Sequence, residues 1–205
     1  MQQSEARLWI LAGPAGSGKS SVAPSLIRAA RAMGISLAPV DPDVWFGPME
    51  RALLAAHGLA PDDRDSPQFK TIVRPLRYAG LWSGIEHMLD AGQDVLAIAP
   101  FTREVRDGSL WSLAAAKAWR HQIACVWLTA SPDVRRARIL ARSRPEDAAK
   151  LADWDAYLAS GHEPDGSDER VRVVFNDDSD PRVGAAAVLR AFGLDPNSAS
   201  GFAAP

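Results

Sequence analysis

A chain of 205 residues with 47% hydrophobic and 23% charged residues has the size and balance of one folded, water-exposed domain with a real core. Its formal net charge of -2 excludes a global field that would draw it onto nucleic acid or an anionic membrane. One cysteine, Cys125, set in the apolar run 123–128, excludes a disulfide framework and a cysteine zinc site.

The first residues, Met1 to Arg7, are polar and carry no apolar leader, and no segment reaches the length of a membrane span. The expectation is therefore a cytoplasmic enzyme with no membrane partner. Leu8 to Ala12 is an apolar run that ends directly in a glycine-rich loop, and Ser20 to Met33 then has the pattern of a helix. Strand, loop and helix in this order are the context of a phosphate-binding loop, here Gly13-Pro14-Ala15-Gly16-Ser17-Gly18-Lys19-Ser20. Glycines let several backbone N–H groups curl toward one anion, and the helix adds the positive end of its dipole. The expected nucleotide contacts are Gly13, Ala15, Gly16, Ser17, Gly18, Lys19, Ser20 and Ser21. In this pattern Lys19 follows the β- and γ-phosphates and Ser20 offers a hydroxyl to Mg²⁺, which makes ATP and Mg²⁺ the expected cosubstrate and metal.

Ile35 to Val40 reads as a second strand closed by Asp41-Pro42-Asp43, where the chain is expected to turn. In open parallel sheets ligands bind at the carboxyl ends of the strands, so both aspartates fall beside the phosphate loop. One carboxylate can orient an acceptor hydroxyl and take its proton while the other, Asp41 in this reading, holds a metal-bound water. The competing reading makes Asp41-Pro42-Asp43 a turn that only caps the next helix. Further helices are expected over Pro48–His57, over Gln68–Ala91 with a kink near Pro75, and over Arg106–Trp119. Strands are expected at Asp94–Ala99, Ile123–Leu128 and Val171–Phe175, with a last helix at Pro181–Phe192 and a loose tail from Gly193 to Pro205. Five strands alternating with helices predict an α/β fold, a five-stranded parallel sheet covered by helices on both faces, in one domain spanning 1–205.

The third strand ends in Ala99-Pro100-Phe101-Thr102-Arg103 with no acid, which argues against a motor-type ATPase. Arg103 and Arg106 are placed to bind an anionic or polar group of an acceptor. After the fourth strand Arg135, Arg138 and Arg142 recur at i, i+3 and i+7 on one helix face, with Arg136 and Arg144 nearby. Charge that spreads over a transferring phosphoryl group needs such arginines. Residues 143–166 break the core alternation, with a second helix near Asp147–Ser160 and a flexible polar loop at His162–Glu169, and read as an inserted lid. Trp9 and Trp127 are expected in the core, whereas Trp45, Phe46, Trp82 and Trp111 are candidates for an acceptor pocket, together with Arg74, Arg77 and Tyr78 on the long helix. His57, His87, His121 and His162 have no ligand spacing.

The phosphate loop, followed by Val40-Asp41-Pro42-Asp43-Val44-Trp45-Phe46 and the arginine run 135–144, resembles the small phosphate-loop kinases. The nearest groups are the chloramphenicol phosphotransferase-like and zeta-toxin-like kinases, with gluconate kinases further off, all broadly AAA-type ATP-binding proteins. The resemblance implies an ATP-dependent kinase acting on a hydroxyl of a small molecule such as an antibiotic, nucleoside or sugar. It implies that Asp43 is the base, with Asp41 the second candidate, that Arg138 and Arg142 close on the ATP phosphates, and that Asn176 contacts adenine. Related kinases are often dimers or larger assemblies, so a homo-oligomer is also implied. Rival expectations are a polynucleotide-end kinase, which the charge does not favour, and an ATP-binding regulatory module that transfers nothing.

Overall fold

The computed structural model describes residues 5–64, 66–116, 122–161, 163–164, 166 and 168–195. The expected tail beyond residue 195, the end of the helix expected to reach Trp119, and His121 and His162 lie outside the described residues.

Five strands form one parallel sheet: β1 (Arg7–Ala12), β2 (Ala38–Val40), β3 (Val95–Ile98), β4 (Gln122–Thr129) and β5 (Val171–Phe175), in the order β2-β3-β1-β4-β5. The strands are apolar on both faces because helices cover both. Along β1, Leu8, Ile10 and Ala12 enter one core, and Trp9 and Leu11 enter the other. In β4, Cys125 and Trp127 alternate in the same way with Val126 and Leu128. One face is covered by α1 (Lys19–Ala32) and, near the chain's end, by a helix over Pro181–Ala191. The opposite face is covered by α3 (Arg74–Asp90), which buries Leu81, Trp82, Ile85 and Leu89. Each fully buried leucine or isoleucine contributes roughly 1.5–3 kcal/mol.

Several elements differ from the sequence expectation, each for a local reason. The second strand has only three residues, since it lies at the sheet edge and Pro39 lacks an N–H to extend the ladder. Ile35 and Leu37 are nevertheless buried in the core. The chain does not turn at Pro42. Asp41 caps a helix, α2 (Pro42–Ala56), with Pro42 in its first turn, where a missing N–H costs nothing, and the helix runs on through Pro48. The kink expected near Pro75 is a π-helical stretch, Phe69–Val73, that hands over to α3 just before that proline. The helix expected from Arg106 is two helices, α4 (Thr102–Arg106) and α5 (Ser109–Ala116). They part at Gly108, which has φ 71°, and Asp107 Oδ1 accepts from the Ser109 N–H at 2.9 Å. After α6 (Pro132–Arg142) the expected second helix is likewise divided, into a 3₁₀ turn (Pro145–Asp147), α7 (Ala148–Ala152) and α8 (Trp154–Ala159). Asp153 caps α8, accepting from the Ala156 N–H at 3.0 Å. The last helix, α9, is Pro181–Ala191. Among the described residues no helix is long and apolar enough to cross a membrane.

Candidate active site

The parallel sheet delivers the ends of β1, β2 and β3 to one edge, and the loop after β1 lies there against its neighbours. Gly13 has φ 142°, and a Cβ on it would sit 2.0 Å from the Leu128 carbonyl oxygen. Gly16 has φ 78°, and a Cβ there would meet the Arg135 carbonyl oxygen at 2.6 Å. Only glycine lets the loop pass this close to β4 and α6. The Gly13 N–H donates to the Pro100 carbonyl at 3.1 Å, which ties the loop to the end of β3.

Lys19 Nζ donates to the carbonyls of Gly13 at 2.7 Å and Pro14 at 2.9 Å. Burial pushes this amine down from 10.5 to about 7 and Arg142 adds to the fall, while Asp43 and Asp41 act against it. The phosphate-loop lysine, both aspartates and an α6 arginine thus share one electrostatic neighbourhood.

Asp41 Oδ1 accepts from the Asp43 N–H at 2.9 Å, so the capping reading holds for this residue, yet Asp41 also lines the cavity beside the loop. Burial raises its carboxyl above the usual range. For Asp43 burial acts in the same direction, but the paired Arg77 guanidinium outweighs it and holds the carboxyl low. Arg77 is fixed from behind by Glu50 at 2.8 Å, and Arg64 approaches the same buried Glu50 at 3.1 Å. Arg74 pairs with Glu104 at 2.7 Å and lies over the Tyr78 ring, 4.4 Å from its centre. Glu104, in α4, is turned toward Arg74, and Phe101 just before that helix takes a left-handed conformation (φ 48°) and is fully buried.

The three arginines of α6 do different things. Arg135 is buried and donates to the Ala15 carbonyl at 3.1 Å, to Glu163 at 3.3 Å and to the Tyr157 hydroxyl at 3.4 Å. Arg138 reaches the carbonyls of Asn176 at 2.8 Å and Asp178 at 2.7 Å, and more distantly those of Gly16 and Ser17. Arg142 forms a two-pronged pair with the buried Asp147, at 2.6 and 2.8 Å. Asn176 lines the cavity, and its Nδ2 donates to the Ser17 carbonyl at 2.8 Å, so the amide braces the phosphate loop.

One cavity of about 1180 Å³ is lined by the phosphate loop with Lys19, Ser20 and Ser21, by Asp41 and Asp43, by Arg74, Arg77 and Arg103, and by Arg138, Arg142 and Asn176, whereas Gly13, Ser17 and Arg135 do not line it. Trp45 and Phe46 do not line it. Both pack against α3, where Gly84 and Gly80 leave room for the rings, at 3.0 and 3.1 Å from where a Cβ would stand. Trp82 is core, and Trp111 donates from Nε1 to Asp168 at 2.6 Å beneath Arg170. The aromatic lining is made by Tyr78, Tyr157 and Phe69, the last of which sits in the π-helical turn and gives no sequence signal. Sequence reasoning also missed Glu163, which accepts from Trp127 Nε1 at 2.5 Å and Thr129 Oγ1 at 2.9 Å, and so fixes the start of the loop read as flexible.

Ser20 and Asp41 both place oxygen donors on the cavity wall, and among the described residues no group of three His, Cys, Asp or Glu could cage a metal. That donor set fits Mg²⁺, which takes one or two protein oxygens and keeps the rest from phosphate and water.

A five-stranded parallel sheet with a phosphate loop after its first strand defines the nucleotide-kinase-like α/β class. This chain belongs to the AAA domain family, whose pattern matches residues 8–164. No curated protein matches it. Among solved structures it is similar to a gluconokinase from Sinorhizobium meliloti (17% identity, TM-score 0.56, 94% of each chain covered). It is also similar to the Deinococcus radiodurans tunicamycin resistance protein (15% identity, TM-score 0.59, 92% of this chain and 96% of that one). A third is the Mycobacterium tuberculosis APS kinase, solved with AMPPNP and APS (20% identity, TM-score 0.55, 92% and 98%). At these identities the likeness is one of fold, that of the small phosphate-loop kinases.

Proposed function

We propose that this protein is an ATP-dependent kinase that moves the γ-phosphate of ATP to a hydroxyl of a small molecule in the cytoplasm. The observation that carries the reading is the cavity. At about 1180 Å³ it exceeds the usual span of a single-ligand site, roughly 300–1,000 Å³, and it runs from the phosphate loop to a second wall of Tyr78, Arg74 and Arg77. Two of the structurally similar proteins are named as kinases, and one was solved with AMPPNP and APS together.

In this reading the amides from Ala15 to Ser20 bind the phosphates, with the Gly13 N–H kept on Pro100, and Lys19 turns from its own loop carbonyls to the triphosphate. Ser20 and Asp41 would hold Mg²⁺, which neutralises charge on the phosphate oxygens when bound. Asp43, kept anionic by Arg77, orients the acceptor hydroxyl and receives its proton. A low-lying carboxylate suffices, because phosphoryl transfer is largely dissociative and depends on positioning. Arg142 exchanges Asp147 for the transferring group as residues 143–166 close as a lid. Arg138, held by backbone carbonyls, keeps the phosphate loop and the end of β5 in place. Asn176 acts with it.

The test is ADP release from Mg²⁺-ATP with and without hydroxylated acceptors, in the wild type and in Asp43→Asn and Asp41→Asn. Acceptor-dependent release that Asp43→Asn lowers by about 10²–10⁴, with the KM for ATP little changed, supports the assignment. Intact turnover in Asp43→Asn with the same acceptor removes it from the base role.

A further inference from the structure

The cavity wall carries eleven lysines and arginines against five acids, in a chain whose net charge is -2. Some of that excess serves the nucleotide phosphates. The remainder includes Lys70, Arg74 and Arg77, which recur along the π-helical turn and α3, and Arg103 and Arg106 of α4, all lining the same cavity, with α3 and α4 joined by the Arg74–Glu104 pair.

Not all of these charges are available. Arg77 is matched by Glu50 and Asp43, Arg64 by Glu50, and Arg74 by Glu104. Three remain. Lys70 is exposed and makes no side-chain hydrogen bond or ion pair among the described residues. Arg103 has only a 3.5 Å pair with Asp107, and both side chains face water, at 70% and 43% exposure, where such a pair is weak. Arg106 donates to the carbonyls of Gly161 at 3.1 Å and Ser160 at 3.5 Å, neither of which cancels its charge. Like charges gathered on one concave wall repel each other, and an anion relieves that repulsion with charge-assisted hydrogen bonds. Arginine forks in particular match carboxylate and phosphate oxygens.

We infer that the acceptor of this site carries an anionic group, a carboxylate or a phosphate or sulfate ester, seated by Lys70, Arg103 and Arg106 while its hydroxyl faces Asp43. The inference rests on the kinase reading for the word acceptor. The anion subsite itself does not, and can be measured without turnover. The link to α8 through Arg106 also places this subsite where the end of the lid segment meets α4.

Two experiments separate the claims. Inorganic sulfate is titrated at constant ionic strength into protein saturated with AMPPNP and Mg²⁺. Saturable binding is expected, weakened at least about tenfold in Lys70→Glu/Arg103→Glu and in Arg106→Ala, with AMPPNP affinity held within about twofold. The first pair alters exposed side chains, and thermal melting confirms that each variant is folded. No saturable binding in the wild type, or equal binding in the variants, overturns the subsite. Matched acceptors are then compared as a hydroxy acid, the phosphate ester of the same skeleton and its uncharged alcohol. A kcat/KM higher by at least about tenfold for either charged member, lost in the double variant, supports the inference and tells carboxylate from phosphate. Equal turnover of the uncharged alcohol overturns it while leaving the kinase reading intact. Sulfate binding without turnover of any acceptor keeps the anion subsite and counts against the kinase reading alone.

Discussion

Replacing Lys19 by arginine exchanges an amine that titrates near neutrality for a cation that does not. In the free protein burial and Arg142 hold the Lys19 amine at about 7, so it loses its proton above that pH. A bound triphosphate is anionic and raises this value, which means that binding takes up a proton. Affinity is full below about 7 and declines as the pH rises through the free value. One pH unit above it, only about a tenth of the molecules carry the charge, and binding takes up about 0.9 proton. Affinity then falls about tenfold per further pH unit until the value of the complex is reached. Calorimetric titration with AMPPNP and Mg²⁺, in buffers of different protonation enthalpy, measures the uptake directly. The nucleotide's own phosphate titrates alike with both proteins, so the difference between the wild type and Lys19→Arg isolates the lysine. An uptake at about pH 8 that is equal in the two proteins refutes the reasoning, since it removes Lys19 as the source.

Gly16→Ala places a Cβ 2.6 Å from the Arg135 carbonyl at a φ of 78°. It should cost about 3 kcal/mol in urea unfolding and abolish measurable AMPPNP binding. Glu163→Gln weakens the bonds from Trp127, Thr129 and Arg135. A loss of about 1–3 kcal/mol and a shifted tryptophan emission are expected, and unchanged values would show that the loop is not held there. Cys125 is 2% exposed, and burial pushes its thiol up to about 12. Thiol reagents at about pH 8 should therefore leave it unmodified in the native protein and label it after denaturation, and native labelling would contradict its burial.

The sheet was legible because its signal is local. Four of the five strands fall within one residue of their apolar runs at each end, and the phosphate loop is written in consecutive residues. What the sequence did not reveal depends on partners distant in the chain. Arg135 shares a helix face with Arg138 and Arg142, yet it alone is buried, because the phosphate loop and Glu163 lie over it. Asp147 is buried and clamps Arg142 from five residues further along the chain. Trp45 and Phe46 stand beside the site in sequence but are drawn away by glycines on α3, and Phe69 takes the place on the cavity wall. Broken helices were equally hidden, since Asp107-Gly108 and Asp153 act through backbone conformation and capping in runs whose apolar pattern is unbroken.

The central claim is that the γ-phosphate of ATP ends on an organic hydroxyl, and its most direct test follows that phosphate. Protein is incubated with Mg²⁺ and ATP labelled at the γ-position, together with matched hydroxy acids, phosphate esters and alcohols. Label recovered in an organic product, with ADP formed in equal amount and only when that acceptor is present, is the predicted result. Label released as inorganic phosphate at the same rate in every mixture would contradict the account and define a hydrolase instead.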